Sequence, residues 1–359
     1  MPNDRGAPAG AINVLALMNL SDTQAAQVRA VDPRVNLTLG YADFLPEMAR
    51  DWNRDGAVPA DAEPPDAADR RAALLREADV MLMSLPYPRA MKGRAPKVQW
   101  GHFGFAGVSN LMGSDWWGGA PVVTSSRGHT RALPIAEAVM GAIYLFARRW
   151  DYAVEATRRG EMNPRTFPRM KAVGGKTLGV VGLGGIGGEA ARLARGNGMR
   201  VVATRRSALA RQENVDGVDV LYPAADLHAM LAESDFVAVC TMWTPETEGM
   251  IDKAAFAAMK DGAYLINIAR GEVIDEPAMI EALRSGKIAG AQLDVWKDDL
   301  RRMPPSPDLL ALPNVVLTPH VSGLTDDPSA RGVDLFCDNL RRFLDGKPLV
   351  NTIDWSRGY

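Results

Sequence analysis

Two side chains in the sequence have the types and positions that proton transfer on an anionic substrate requires. His320 lies in the stretch NVVLTPHVSG, directly after an apolar run. Its imidazole could donate or accept a proton near neutral pH. Arg270, in LINIARGEVID, also follows an apolar run, and its guanidinium could hold a carboxylate through two parallel hydrogen bonds. By position alone, His320 could equally be an ordinary loop histidine. The other histidines are weaker candidates: His102, His129 and His228.

A glycine-rich stretch, VVGLGGIGGEAARLAR, follows the apolar run TLGVV. Gly182, Gly184 and Gly187 have the GxGxxG spacing of a dinucleotide-binding turn, which allows the backbone to approach a pyrophosphate. We expect amides at the start of the next helix, including those of Gly185 and Ile186, to bind that group. The flanking strand and helix disfavour the alternative of a merely structural turn. A dinucleotide beside His320 and Arg270 would suffice for hydride transfer with a 2-oxo or 2-hydroxy acid.

The next apolar run, MRVVAT, ends in TRRS, where an acidic residue would accept the ribose hydroxyls of NAD. Arg205 and Arg206, with the hydroxyls of Thr204 and Ser207, could instead bind the 2′-phosphate of NADP. We therefore predict NADP(H) as the preferred cofactor, with NAD(H) as a possible one. The alternative is that both arginines are solvated surface charges.

The composition limits the class of protein. A formal net charge of -2 gives no basic excess for a nucleic-acid partner. The two cysteines, Cys240 and Cys337, form no CxxC pair, so we predict neither a disulfide nor a metal site. The polar N-terminus and the lack of a long apolar run predict a cytoplasmic protein without a membrane partner.

The apolar runs predict an α/β fold with two Rossmann-like domains built on parallel sheets. The length of 359 residues suits two domains with a cleft between them. Strands and helices alternate before and after a long helical pattern over 131–158, which could connect the domains and form a dimer surface. The last helical segment has no following strand, so we expect it to pack on the first domain. We predict a discontinuous substrate-binding domain, 1–126 and 325–359, and a dinucleotide-binding domain, 127–324.

Four ordered motifs, GLGGIG, INIARGEVIDEPAMIEAL, AGAQLDVW and LTPHVSG, resemble those of the D-isomer-specific 2-hydroxyacid dehydrogenases. The resemblance is dense from Gly174 to Gly323 and thinner before it, where FAGVSN resembles the family's substrate loop. It implies two Rossmann-like domains and a homodimer formed through the cofactor domain. It also implies that Arg270 binds and polarises a 2-oxo acid and that His320 exchanges the proton. Further implied contacts are Ala106, Gly107, Ser84 and Leu85 for the substrate carboxylate, and Thr241, Ala269 and Asp294 for the cofactor.

The sequence departs from this family at the acidic partner of the histidine. The family usually has a Glu before Pro, five positions after the Asp of its LDV motif, and this chain has Asp299 followed by Leu300. We expect Asp299 to keep the role although it is one methylene shorter. The alternative is a solvated charge beside Asp298. The formate-oxidising branch has Gln where Asp299 falls and Asn where Arg131 falls, so we disfavour that activity.

These features favour an NADP(H)-dependent reductase of a 2-oxo acid, such as glyoxylate, hydroxypyruvate or a larger analogue. The product would be the D-2-hydroxy acid. The alternative is a dinucleotide-sensing, corepressor-like binding protein without significant turnover. Arg270 and His320 together favour the enzyme. The substrate side chain remains open, although Arg131 and the tryptophans could shape its pocket, with packing an equal alternative: Trp100, Trp116, Trp117 and Trp296.

Overall fold

A computed structural model of the protein describes residues 8, 10–52, 63–91, 93–119, 121–128, 132–161, 163–326 and 333–356. The chain divides into two compact units: unit 1, Met1–Thr130 with Asp327–Tyr359, and unit 2, Arg131–Asp326. Within the ranges described, no helix combines the length and the apolar character needed to cross a membrane.

Strands and helices alternate along most of the chain. The strands are β1 Ile12–Ala16, β2 Val35–Leu39, β3 Val80–Met83, β4 Trp100–Phe103, β5 Val122–Ser125, β6 Thr177–Val181, β7 Arg200–Arg205, β8 Gln212–Val215, β9 Val218–Pro223, β10 Phe236–Val239, β11 Ala263–Asn267, β12 Ile288–Leu293 and β13 Val315–Leu317. The helices are α1 Asp22–Arg29, α2 Tyr41–Asp51, α3 Ala67–Glu77, α4 Ala132–Ala147, α5 Trp150–Arg158, α6 Gly185–Gly196, α7 Leu227–Glu233, α8 Lys253–Ala258, α9 Glu276–Arg284, α10 Pro307–Leu310 and α11 Asp334–Leu344.

Unit 1 is built on a five-stranded parallel sheet with the order β2-β1-β3-β4-β5. Helix α11 comes from the far end of the chain, and its apolar face is buried in the same core as β1, β3 and β4. Trp100 of β4 stacks on Phe336 of α11 with ring centroids 5.2 Å apart. Unit 1 is therefore discontinuous in sequence, because the last helix completes a core that the first strands begin.

Unit 2 is built on an eight-stranded sheet with the order β13-β12-β11-β10-β6-β7-β9-β8. All neighbouring strands are parallel except β8, which pairs antiparallel with β9. One apolar cluster packs α4 and α6 against the sheet, and another packs α7, α8 and α9 against it. The predicted α/β fold class with two parallel-sheet domains is confirmed. Because the strands are parallel, their carboxyl ends lie along one edge.

The helical pattern predicted over 131–158 forms two helices instead of one. Helix α4 ends at Ala147, and α5 begins at Trp150 after Arg149, whose φ is +57°. Phe146 stacks on Tyr264 of β11 with ring centroids 4.8 Å apart, which fixes the end of α4 to the sheet. The left-handed residue then turns the chain away from the direction of α4.

Candidate active site

The predicted cofactor and catalytic residues of unit 2 follow six neighbouring parallel strands. In sheet order they are His320 after β13, Asp294 after β12, Ala269 and Arg270 after β11, Thr241 after β10, Gly182 after β6, and Thr204 to Ser207 at the end of β7. The carboxyl edge of the sheet therefore carries this whole set, as the alternation of apolar runs predicted.

The turn between β6 and α6 needs its first and third glycines for steric reasons. Gly182 has φ +97°, and a Cβ there would lie 2.9 Å from the backbone nitrogen of Thr241. A Cβ on Gly187 would lie 2.3 Å from the carbonyl oxygen of Gly182. The first contact sets the spacing between β6 and the segment after β10. The second lets α6 pack against the turn.

The start of α6 has the features that a bound anion needs. Gly184 precedes the helix without a side-chain cap, and a Cβ built on it would meet nothing within 4 Å. A side chain at this position would therefore fill the space next to the first amides of a helix, where anions bind. Gly185 is the first helical residue. Ile186 packs on the core, so only its backbone could take part in the predicted contact.

Thr204 has a structural position that the sequence did not indicate. It is 3% exposed, and its hydroxyl accepts a hydrogen bond from the amide of Gly182 at 3.3 Å. The backbone amide of Leu183 also donates to the carbonyl oxygen of Thr204 at 2.8 Å. Thr204 therefore supports the glycine turn through these two hydrogen bonds. The predicted contact of its hydroxyl with a cofactor phosphate stays a prediction.

The two arginines after β7 each face a carboxylate. Arg205 Nη2 lies 2.7 Å from Asp216 Oδ2, and Arg206 Nη1 lies 3.2 Å from Glu246 Oε2. Arg206 and Ser207 are exposed, and Arg205 is half-buried. Within the described residues, the Nε atom of Arg205 is buried without a hydrogen-bond partner. The guanidinium groups thus remain at the surface, where a phosphate could bind them in competition with these carboxylates.

Asp216 and Glu246 are residues of this region that sequence reasoning missed. Asp216 lies in the turn between β8 and β9, where it and Gly217 have φ values of +50° and +78°. The Asp-Gly dipeptide was the available signal, because it favours two-residue hairpin turns. Glu246 follows β10 by several residues, and no sequence pattern indicates its contact with Arg206.

Arg270 lies in a turn that a buried amide shapes. Asn267, which is fully buried, donates to the carbonyl oxygen of Arg270 at 2.9 Å and accepts from the amide of Ala269 at 3.0 Å. Arg270 Nη1 donates to the carbonyl oxygen of Ala269 at 2.6 Å. Burial lowers the pKa of the Arg270 guanidinium, and the charges of Asp299 and Glu272 oppose this effect. A half-buried cation held in this way would gain by binding a carboxylate.

His320 and Asp299 are in direct contact. The Nδ1 atom of His320 lies 2.7 Å from Asp299 Oδ2, and the side chains are 37% and 3% exposed. The backbone of His320 is left-handed, with φ +55°, and the chain turns away from the sheet edge at this residue. The contact excludes the alternative that Asp299 is a solvated charge. With Nδ1 bonded to the carboxylate, the Nε2 atom is the one available for proton exchange. The catalytic role of the pair stays a prediction.

The carboxylate of Asp294 holds the segment that carries His320. Its Oδ1 atom accepts from the hydroxyl of Thr318 at 2.6 Å and from the amide of Val321 at 2.9 Å. Its Oδ2 atom accepts from the amide of Ser322 at 2.9 Å. Asp294 is fully buried, so its first function in the fold is to fix this turn. The predicted contact with the cofactor stays a prediction.

The predicted substrate-binding residues of unit 1 follow two adjacent strands. Ser84 and Leu85 come directly after β3, and Ala106 and Gly107 come after β4. All four are half-buried. The buried Tyr87 joins the two loops, because its hydroxyl donates to the carbonyl oxygen of Asn110 at 2.7 Å. Burial raises the pKa of Tyr87 to about 12.

The remaining candidates from the sequence are the tryptophans, the other histidines and Arg131. Trp100 and Trp116 are buried in unit 1, Trp117 packs edge-on against Trp355, and Trp296 donates from Nε1 to the carbonyl oxygen of Met303 at 2.6 Å. His102 is buried between the hydroxyls of Thr124 and Ser126, and His228 is exposed on α7. His129 and Arg131 lie outside the described residues.

Comparison with known proteins identifies relatives over the same region. The family model for "D-isomer specific 2-hydroxyacid dehydrogenase, NAD binding domain" matches residues 140–322. D-3-phosphoglycerate dehydrogenase of Archaeoglobus fulgidus is 33% identical over 238 residues, which are 66% of this chain and 43% of that protein. Glyoxylate reductase of Thermococcus kodakarensis is 39% identical over 208 residues, which are 56% of this chain and 60% of that protein. The chain thus spans about half the length of the curated relatives that it matches.

Solved structures extend the likeness to both units. A D-isomer specific 2-hydroxyacid dehydrogenase from Xanthobacter autotrophicus, in complex with NADPH and MES, is 26% identical. Its TM-score is 0.73, over 98% of this chain and 100% of that one. An NADPH-dependent glyoxylate/hydroxypyruvate reductase from Sinorhizobium meliloti, in complex with NADP and sulfate, is 25% identical with a TM-score of 0.72. The alignment covers 97% of this chain and 100% of the Sinorhizobium meliloti chain. The family match includes half of the sequence and contains the glycine turn, Arg270 and His320. The chain therefore belongs to the D-isomer specific 2-hydroxyacid dehydrogenase family.

Proposed function

We propose that this protein reduces a small 2-oxo acid to the D-2-hydroxy acid and uses NADP(H) in preference to NAD(H). The contact between His320 and Asp299, on the same sheet edge as Arg270, carries the proposal. A proton donor with a buried carboxylate partner and a half-buried cation for an acidic substrate are the two protein groups that this reduction needs.

Each group has a defined part in the reaction. Arg270 binds the anionic substrate and draws electron density toward the oxygen of the oxo group. When bound, the reduced dinucleotide supplies a hydride to the carbonyl carbon. His320 donates the proton from Nε2 to the carbonyl oxygen. The Nδ1–H group of the imidazole stays hydrogen-bonded to the carboxylate of Asp299. One hydride and one proton convert the carbonyl to a hydroxyl, which balances the reaction.

The glycine turn and the two arginines support the cofactor assignment. The open space at Gly184 suits a pyrophosphate, and Arg205 and Arg206 suit a further phosphate on the ribose. Within the stretch from Thr204 to Ser207, no carboxylate stands in place of the arginines to repel a 2′-phosphate. Asp216 and Glu246 pair with the two guanidinium groups and moderate this preference.

The test is the initial rate of oxidation of NADPH and of NADH, measured side by side with glyoxylate, hydroxypyruvate, pyruvate and phenylpyruvate. We expect turnover with NADPH preferred, and loss of turnover in His320→Gln with NADPH binding retained. His228→Gln is the matched control, because His228 is exposed on α7. Turnover with NADH preferred would refute the cofactor assignment alone. Tight NADPH binding without turnover of any substrate would favour a dinucleotide-sensing protein.

We also propose that the protein is a homodimer formed through unit 2. Helix α5 exposes Trp150 and Val154, which are 53% and 50% accessible. Large apolar side chains on one exposed helix are typical of subunit contacts. Light scattering of the full chain should give the mass of a dimer. The mass of one chain would refute the assembly without affecting the proposed reaction.

A further inference from the structure

The loop after β12 brings the short side chain of Asp299 into contact with His320. Asp299 contacts His320 at 2.7 Å although its side chain is one methylene shorter than glutamate. The backbone of residue 299 must therefore approach the histidine. Asp298 and Arg302 have φ values of +61° and +58°, and these two left-handed residues bracket a 3-10 turn over Asp299–Arg301. Such conformations are unfavourable for residues with a Cβ and persist only where other contacts fix them.

Glu272 supplies one of these contacts from the neighbouring strand end. Its Oε1 atom accepts a hydrogen bond from the backbone amide of Asp298 at 3.2 Å. This amide belongs to the left-handed residue directly before Asp299. The Oε2 atom of Glu272 is buried without a hydrogen-bond partner among the described residues, so this oxygen does not face solvent.

The residue before Glu272 explains how the two segments come so close. A Cβ on Gly271 would lie 2.0 Å from the carbonyl carbon of Trp296, so only glycine fits at this position. The other side of the loop closes on itself, because Trp296 Nε1 donates to the carbonyl oxygen of Met303 at 2.6 Å. Glu272 thus lies where the loop would otherwise be free to unbend.

We propose that Glu272 is a positioning residue that holds the loop 296–303 so that the short side chain of Asp299 reaches His320. Glu272 acts through the backbone amide of Asp298 and does not itself contact the histidine in this arrangement. The inference rests on the proposed reductase function for its kinetic consequence, but the geometry of the histidine can be measured without turnover.

Asp299 contacts the imidazole of His320, and the charges of Asp299 and Glu272 both act on Arg270. The test must therefore separate the charge of Glu272 from its hydrogen bond. Glu272→Gln removes a charge but keeps an oxygen that can accept from the amide of Asp298. Glu272→Ala removes both. The comparison of the two variants therefore separates the hydrogen bond from the charge.

The readout is the titration of the His320 imidazole by NMR, with its signal assigned from the spectrum of His320→Gln. Glu272→Ala should change the titration curve of His320, because the loop would no longer hold Asp299 against the imidazole. Glu272→Gln should stay near wild type. In an Asp299→Asn background, Glu272→Ala should have no further effect, because its action passes through Asp299. If Glu272→Ala does not fold, Glu272→Leu fills the space without an acceptor.

Kinetics provide the second readout. Glu272→Ala should lower kcat/KM up to about 100-fold, because small displacements of reacting groups have effects of this size. The rate should also fall at lower pH than in wild type. Asp299→Glu should restore both in the Glu272→Ala chain, since the longer side chain no longer needs the bent loop. Glu281→Ala is the control, because Glu281 pairs with Lys253 at the surface.

Two results would overturn the inference. An unchanged titration in Glu272→Ala would show that the loop stands without this contact. An equal shift in Glu272→Gln and Glu272→Ala would show that the charge of Glu272 acts directly. A chain that reduces no 2-oxo acid would refute the proposed function, and the NMR titration would still decide the role of Glu272.

Discussion

Replacing Arg205 by alanine should weaken NADPH binding about 2- to 30-fold and leave NADH binding nearly unchanged. A hydrogen bond to a charged group contributes ~1.5–3 kcal/mol. Arg205 must share its guanidinium with Asp216, at 2.7 Å, in a pair whose side chains are 35% and 44% exposed. Such an exposed ion pair is worth at most ~1 kcal/mol. The difference leaves a net ~0.5–2 kcal/mol for a 2′-phosphate, which corresponds to the stated range of affinity.

The assay is a fluorescence titration of NADPH and of NADH with wild type, Arg205→Ala and Asp216→Asn. Asp216→Asn should act in the opposite direction and strengthen NADPH binding ~2- to 5-fold, because it frees the guanidinium and removes a charge that repels the phosphate. Arg284→Ala is the control, since this arginine pairs with Asp308 at the surface.

An equal loss of affinity for both dinucleotides in Arg205→Ala would refute the reasoning. It would show that the arginine supports the fold of the β7 end and not the discrimination of a phosphate. Weaker NADPH binding in Asp216→Asn would also contradict the argument, because Asp216 would then be orienting Arg205 for the cofactor.

Three further outcomes follow from the structure. Asp299→Asn should lower the rate of reduction and make it fall at lower pH than in wild type; an unchanged pH–rate profile would remove Asp299 from the reaction. Gly184→Ala should keep the melting temperature of the free protein but weaken dinucleotide binding at least ~10-fold, because its Cβ would meet no protein atom. Gly187→Ala should lower both the melting temperature and the affinity for the dinucleotide, because its Cβ would meet the backbone. Phe336→Ala should destabilise unit 1 by ~3–5 kcal/mol in chemical denaturation, since its ring stacks on Trp100 in the core, and a loss below ~1 kcal/mol would contradict that packing.

Much of the fold of unit 2 could be predicted because its central strands are buried on both faces. Their apolar runs stand out in the sequence, and the residues after them fall on one sheet edge by topology alone. Strand β8 escaped prediction because its first three residues, from Gln212 to Asn214, are polar and exposed. The break between α4 and α5 also escaped, because Arg149 gives no local signal for a left-handed conformation.

The candidate site was predictable in its members and less so in their contacts. The pairing of Asp299 with His320 was implied by the family resemblance, but the bent backbone that makes it possible depends on two left-handed residues. The carboxylates that face Arg205 and Arg206 come from other segments, the β8–β9 turn and the stretch after β10. Thr204 was predicted as a phosphate ligand because of its neighbours, and only its hydrogen bonds with Gly182 and Leu183 show that it supports the glycine turn.

The discontinuity of unit 1 has a consequence for the order in which the protein forms during translation. The apolar face of the β1–β5 sheet needs Phe336 and Leu340 of α11, and the whole of unit 2 is synthesised between them and β5. While the ribosome makes that stretch, the early sheet lacks part of its cover. Unit 2 is continuous and can complete its own core first. Chaperones that shield apolar surface would therefore meet the first 125 residues of the nascent chain in their most exposed state before α11 emerges.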